Sequence, residues 1–326
     1  MTRAVVILAR VAAVLVVCAF PAFAAAAQYP TRPIRIIIPF PPGGGVDIVA
    51  RTVAERMSAR LNQPVVVDNR PGAGTTLGTE LGAKATPDGY TLLIAPVAGA
   101  AIVQAYYPKL NYDLRRDFAP ITKIGFGTVV FVVPPSLGVS SVKEVVVLAK
   151  TKPGQLTFAS SGTGALIHLT GELFKQMAGI NIVHVPYKGT SQLLPDLLDG
   201  RVSMTLDSMP AHLPHIKTGK LRALAVASRS RSAQLPDVPT MIELGYPGFV
   251  SHTDYALYGP ARTPAEVVAL LNRETNALLQ IADVRAKLAP LGIEVSGSTP
   301  DALRAELNDE LAKWAKVIRD ANIKPE

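Results

Sequence analysis

The sequence predicts an α/β fold built as two lobes, on three observations. Short β-branched runs alternate with segments of helical periodicity. The alternation restarts past the middle of the chain. Three glycine-bearing turns each stand where a strand gives way to a helix.

The first run is Ile34–Ile38, stopped by Pro39 and followed by the loop Pro41-Pro42-Gly43-Gly44-Gly45. A helix is expected from about Asp47 to Leu61. Val49, Val53 and Met57 recur at intervals of four, with Ala50, Ala54 and Leu61 beside them, while Arg51, Glu55 and Arg60 lie mostly opposite. Val65–Val67 reads as the next buried strand and Tyr90–Ile94 as the third. Near-continuous apolar strands between helices point to a parallel sheet covered on both faces. In the second half, Val129–Val133, Leu156–Ala159, Ile182–Val185, Val202–Leu206 and Leu221–Ala227 read as strands. Leu166, Leu169, Leu173 and Met177 mark a helix among them. The tail is helical: Leu303, Leu307, Leu311, Trp314 and Ile318 form one stripe, started by Thr299-Pro300. The chain is expected to pass between lobes on ordered segments near Gly125–Val130 and His252–Tyr258.

Residues 1–27 have the order of a secretory signal peptide. Arg3 and Arg10 come first, the apolar run Val11–Phe20 follows, and small-residue cleavage sites stand at Ala22-Phe23-Ala24 and Ala24-Ala25-Ala26. The one cysteine, Cys18, lies inside this segment, so the processed chain would have neither thiol nor disulfide and would rely on its core. About 300 residues remain, enough for two cored lobes. The formal charge of +8 is spread without a run of five or more bases, which argues against a nucleic-acid surface. Beyond the signal no apolar stretch is long enough to span a membrane.

The chemistry centres on the turns. Pro42-Gly43-Gly44-Gly45-Val46-Asp47, Asn69-Arg70-Pro71-Gly72-Ala73-Gly74-Thr75-Thr76 and Ser160-Ser161-Gly162-Thr163-Gly164 each precede a helix start. Glycines let backbone N–H groups approach a ligand, and the helix adds about half a positive charge, so each turn can receive an anion. Each glycine could equally serve only chain reversal. No turn has a P-loop lysine, none spells G-x-G-x-x-G, and no G-x-S-x-G is present. His212 and His215 stand three apart, but Pro210 and Pro214 are expected to break the local helix, and no metal site is expected. His168, near the start of the third turn's helix, can bond the loop or a ligand, and His184 is assigned to structure. Asp207, at a strand's carboxyl end, either selects a ligand amine or hydroxyl or caps the next segment. Lys188, after another strand, is read as a solvated surface residue.

Seven segments in order resemble the tripartite tricarboxylate transporter receptors, also called the Bug family of periplasmic solute receptors. They are Pro39-Phe40-Pro41-Pro42-Gly43-Gly44 with Asp47, Asn69–Gly74 with Gly78, Pro87–Tyr90, Ser161-Gly162 with Gly164 and His168-Leu169, His184–Gly189, Gly219–Val226, and Leu235–Thr240 with Glu243. The resemblance implies a type II periplasmic-binding-protein fold: two α/β lobes, a two-segment hinge and a ligand cleft between them. It implies lobe one as residues 28–126 with 254–326, and lobe two as residues 127–253. It also implies a small carboxylate ligand held by Gly43, Gly44, Gly45 and Asp47 from lobe one and by Ser160, Ser161, Gly162, Thr163 and Gly164 from lobe two, with Asp207 reading the ligand's other end. Thr75, Thr163, Ala165, Asp254 and Ala256 depart from the family pattern. Ala165 and Asp254 are expected to alter the cleft's polarity.

The function this implies is a monomeric periplasmic receptor. It would close its lobes on a small organic carboxylate and deliver it to membrane permease subunits, without cofactor or metal. A sensory receptor serving a membrane signalling protein would look the same in sequence. A secreted enzyme is disfavoured because His168, Asp207 and Ser161 form no catalytic constellation.

Overall fold

Residues 29–43, 45–107, 109–187 and 189–324 are described in this computed structural model. The proposed signal segment and the named residues Gly44 and Lys188 lie outside them. From Arg32 onward the chain forms one compact unit. Its elements are β1 (Ile34–Ile38), α1 (Gly45–Leu61), β2 (Val65–Asn69), α2 (Thr76–Ala83), β3 (Thr91–Ala95), α3 (Val97–Tyr106) and β4 (Phe118–Val133). Next come α4 (Val142–Thr151), β5 (Thr157–Ser160), α5 (Leu166–Ala178), β6 (Val183–Pro186), α6 (Thr190–Leu198), β7 (Met204–Ser208), α7 (Met209–Lys217) and β8 (Arg222–Val226). The chain ends with β9 (His252–Pro260), α8 (Ala265–Leu278), α9 (Ala282–Leu288), β10 (Ile293–Val295) and α10 (Pro300–Asp320).

The strand order is β2-β1-β3-β9-β4-β7-β5-β6, with β8 and β10 also paired to β4. The outer strands are parallel, as the alternation predicts: β1 with β2 and β3, and β5 with β6 and β7. The all-parallel expectation fails at the centre. β9 runs antiparallel to β3 and β4, and β4 runs antiparallel to β7, β8 and β10. The physical reason is topological: the chain runs out along β4 and returns beside it on β9, so the two must point in opposite directions.

β4 is the spine of the molecule. Up to Thr128 its partners are β9 on one side and β10 on the other; from Val129 onward they are β8 and β7. Its apolar end alternates between two cores. Val129, Phe131 and Val133 join a cluster with α4, β5 and Phe174, whereas Val130 and Val132 join Leu193, Leu197, Met209 and Leu213 on the opposite face. A strand covered on both faces has no polar side, which is why this run is continuously apolar.

β2, read as buried, is instead an edge strand with Val66 54% exposed. Likewise Val183 on β6, the opposite edge, is exposed. α10 follows the predicted stripe: Leu303, Leu307, Leu311, Trp314 and Ile318 are all buried, and Thr299 caps the start by accepting from Ala302 N–H at 3.2 Å. The stripe packs on α3, and Leu169 of α5 joins the same cluster. Pro210 and Pro214 do not break α7. Pro210 falls in the first turn, where no N–H donor is needed, and the helix continues past Pro214 to Lys217. Among the described residues, no helix is long and apolar enough to cross a membrane.

Candidate functional site

The third glycine turn is built on a small histidine stack. β5 ends at Ser160, which is buried; its Oγ accepts from Gly162 N–H at 3.2 Å and stands 2.6 Å from His184 Nε2. Gly164 N–H donates to His168 Nδ1 at 3.0 Å. The rings of His168 and His184 stack face to face against Phe158. Burial, and secondarily the neighbouring His184 and Lys175 charges, push His168 down to about 3. Burial and then Lys175 push His184 down to about 4. Both rings are therefore neutral near pH 7, and both shape the loop from behind.

In front of this turn lies a cavity of about 380 Å³. One wall is Ser161–Ile167, which includes the predicted Ser161, Gly162, Thr163 and Gly164 but not Ser160. The N–H groups of Ser161, Thr163, Leu166 and Ile167 have no hydrogen-bond partner among the described residues. Ala165 precedes α5 and offers no side-chain cap, so the positive end of a 13-residue helix meets the cavity open. Gly164 has φ +76°, and a Cβ there would stand 3.2 Å from the Tyr106 ring, so glycine answers both the turn and the close approach.

The first glycine turn is not part of the wall. Gly43 and Gly45 lie at the surface and do not line the cavity; nor does Asp47, which is 3% exposed. Asp47 Oδ2 accepts from Gly43 N–H and Arg51 Nε, each at 2.9 Å, and its Oδ1 accepts from Asn69 Nδ2 at 2.9 Å. Burial opposes ionisation of Asp47, but these hydrogen bonds together outweigh it and hold the carboxyl at about 2. Its role is to tie the β1–α1 turn to the end of β2. The cavity instead takes Phe40 from the end of β1, Gly74 and Thr75 from the second turn, and a face of α3. Tyr106 and Tyr107 close one end, edge to face with centroids 5.0 Å apart. Tyr107 passes so close to Gly74 that a Cβ there would stand 3.1 Å from its hydroxyl.

Two aspartates flagged by the sequence are withdrawn from the cleft. Asp207 is completely buried at the end of β7, accepting from Thr190 Oγ1 at 2.8 Å and Ser208 N–H at 2.6 Å, with His212 Nε2 at 3.0 Å. It joins the starts of α6 and α7 and contributes nothing to the cavity wall. Asp254 is also completely buried. It accepts from Val97 N–H at 2.6 Å and Ala98 N–H at 3.3 Å, closing the start of α3 rather than altering the cleft's polarity. Burial raises its carboxyl to about 6. Beside it, His252 and Glu306 complete a group whose ligand atoms lie within 4.8 Å of one another. The Lys123 ammonium, bonded to Glu306 and 3.4 Å from His252 Nε2, already supplies a cation there.

Residues 49–323 match the model of the tripartite tricarboxylate transporter family receptor. The chain belongs to this receptor family. Its relatives include BugT of Bordetella pertussis, 41% identical over 297 residues and covering 91% of each chain. Rpa4515 of R. palustris, solved with adipate, superposes with a TM-score of 0.80 at 35% identity, covering 92% of this chain and 100% of its own. MatC from Rhodopseudomonas palustris, with bound malate, gives 0.75 at 30% identity over 89% and 100%. The receptor's two-lobed fold is thus that of periplasmic solute-binding proteins, and this chain is a solute-binding receptor. What the sequence missed in its cleft is the α3 wall. The signal was the small-residue run Val97-Ala98-Gly99-Ala100-Ala101 leading to Tyr106-Tyr107.

Proposed function

We propose that this receptor works in the periplasm, after removal of residues 1–27, as a monomer that captures a small organic carboxylate and delivers it to membrane permease subunits of a tripartite tricarboxylate-type transporter. The observation that carries the reading is the open start of α5 on the cavity wall. Ser161, Thr163, Leu166 and Ile167 present N–H groups without partners among the described residues, and an anion is the ligand that such a helix start accepts. Asp254 supports it from inside the molecule, since a carboxylate already closes the neighbouring helix start at Val97 and Ala98. The adipate and malate of the two neighbours agree in chemistry.

The moving units would be residues 28–126 with 254–326 and residues 127–253. The exchange of β4's partners between Thr128 and Val129 favours a hinge close to that division. Three to five charge-assisted hydrogen bonds at about 1.5–3 kcal/mol each sum to about 4.5–15 kcal/mol, a range that brackets the roughly 8 kcal/mol of micromolar binding and leaves room for closure and ordering costs only in its upper part. No catalytic chemistry is assigned to the cleft. A thermal-shift screen of the mature protein against organic acids and their amides tests the reading. A ligand at one hundred times its dissociation constant adds about 2.7 kcal/mol, visible as a higher Tm. Shifts by sugars or amides alone, with every acid silent, would overturn it.

A further inference from the structure

We infer that the receptor takes up a proton at Asp254 when it takes up its acid, because the acid's carboxylate and that of Asp254 compete for the start of α3; this rests on the carboxylate reading of the cleft. Thr253 lines the cavity, while Asp254, the next residue of β9, points the other way and is completely buried. The start of α3 divides in the same manner. Pro96, Gly99 and Ala100 line the cavity, whereas the Val97 and Ala98 N–H groups donate to Asp254. Gly99 has an N–H without a partner among the described residues. A helix start carries about half a positive charge, which an ionised Asp254 offsets. Protonated, Asp254 still accepts from Val97 through one oxygen but no longer offsets that charge. A carboxylate in the cavity is therefore held better when Asp254 is neutral, and by linkage its arrival raises the proton affinity of Asp254.

The groups around Asp254 leave it as the one that takes the proton. His252 Nε2 lies 3.7 Å from its Oδ2 on the same strand, Lys123 reaches in from β4, and Glu306 and Glu310 face it from α10. Tyr255 and Tyr258 on β9 are pushed above an ordinary phenol by burial and then by the Asp254 charge, so both stay neutral. α3 has no charged side chain. Burial opposes ionisation of Glu306, but its bonds to His252 and Lys123 outweigh burial and hold it at about 2. Asp254 hydrogen-bonds backbone N–H groups alone among the described residues, and burial raises it to about 6 against the pull of His252 and Lys123. A modest further rise carries it through neutral pH.

The test is isothermal titration of the mature protein with hexanoate, phenylacetate, malate and adipate, each at about pH 6.5 in two buffers of different ionisation enthalpy. An acid that binds should bring about half a proton with it, and its affinity should rise at least about threefold from pH 8 to pH 6. Asp254→Asn, which keeps an oxygen for Val97 and Ala98, should lose the uptake and hold the higher affinity across that range. A carbon-13 titration of the wild-type aspartate carboxyls reads the same group without a substitution: the carboxyl that titrates near 6 should move up once the acid is bound. A bound acid that brings no proton, a carboxyl that stays where it was, or an Asp254→Asn variant that still takes a proton up overturns the inference and leaves the carboxylate reading standing. Silence from all four acids overturns the carboxylate reading itself, and the inference with it.

Discussion

The imidazole of His168 lies flat on that of His184, ring centroids 3.7 Å apart and planes 13° from parallel. Two imidazolium ions could not share that arrangement, and burial already holds the rings down to about 3 and 4. Against an ordinary histidine near 6.5, the unfolded chain binds protons that the folded one does not once the pH falls below about 6.5. Stability is therefore full above that value and is lost as pH falls toward 4. Each histidine adds at most about 1.4 kcal/mol per pH unit to this slope. Urea midpoints between pH 7.5 and 4.5 should fall for the wild type and fall less steeply for His184→Phe, which keeps a ring in the stack.

Gly164→Ala tests the turn from its front. The residue would occupy φ +76° and press its methyl on the Tyr106 ring, so a loss of about 1–3 kcal/mol is expected, with at least a tenfold loss of ligand affinity. Because the two costs arise differently, Tyr106→Ala should relieve only the contact. A double-mutant cycle read by denaturation should show coupling between the two sites; strict additivity would mean that the ring is not what the glycine accommodates.

The sequence is informative wherever one face of an element is polar. Leu303 to Ile318 gave α10 its period because the helix has a wet side. α3 has none: Val97, Ala98, Ala101 and Ile102 are all buried, so no period appears and the cleft's main wall went unread. The first part of β4, with Pro120, Gly125 and Gly127, also lacks a strand's composition and is held as one by β9 and β10. For the site, the glycine turns were legible as turns, and the third does line the cavity. Which side of the first turn faces ligand was not legible, because the partners that occupy Asp47 include Asn69, 22 residues away. Asp207 and Asp254 were singled out by position, yet their roles depend on Thr190 and Val97, contacts that only the fold brings together.

Asp254 should discriminate between loss of an acceptor and loss of a charge. Asp254→Ala strands the Val97 and Ala98 N–H groups in a buried site and should cost about 2–3 kcal/mol. Asp254→Asn keeps an oxygen for them and should cost less. The carboxyl, raised by burial to about 6 among His252, Lys123, Glu306 and Glu310, is less favourable as an ion in the folded state. Its contribution is thus fully present below about pH 4 and lost as pH rises through 6. Relative to wild type, the asparagine variant should gain stability between pH 4 and 7, measured by urea titration at each pH.

Asp207→Ala separates the buried-anchor role from ligand reading. His212 is completely buried, and its Nδ1 already has no hydrogen-bond partner among the described residues, so removal of Asp207 leaves the ring with none of them. Thr190 Oγ1 and Ser208 N–H lose their acceptor in the same step. Leaving one buried ring and two part-buried groups unpaired should cost about 2–4 kcal/mol, read as a lower urea midpoint. Affinity of the folded fraction for an organic acid that binds the wild type, measured by titration below the melting range, should stay within threefold of wild type. A variant of near wild-type stability that had lost only ligands bearing an amine or hydroxyl would return Asp207 to the role its strand-end position first suggested.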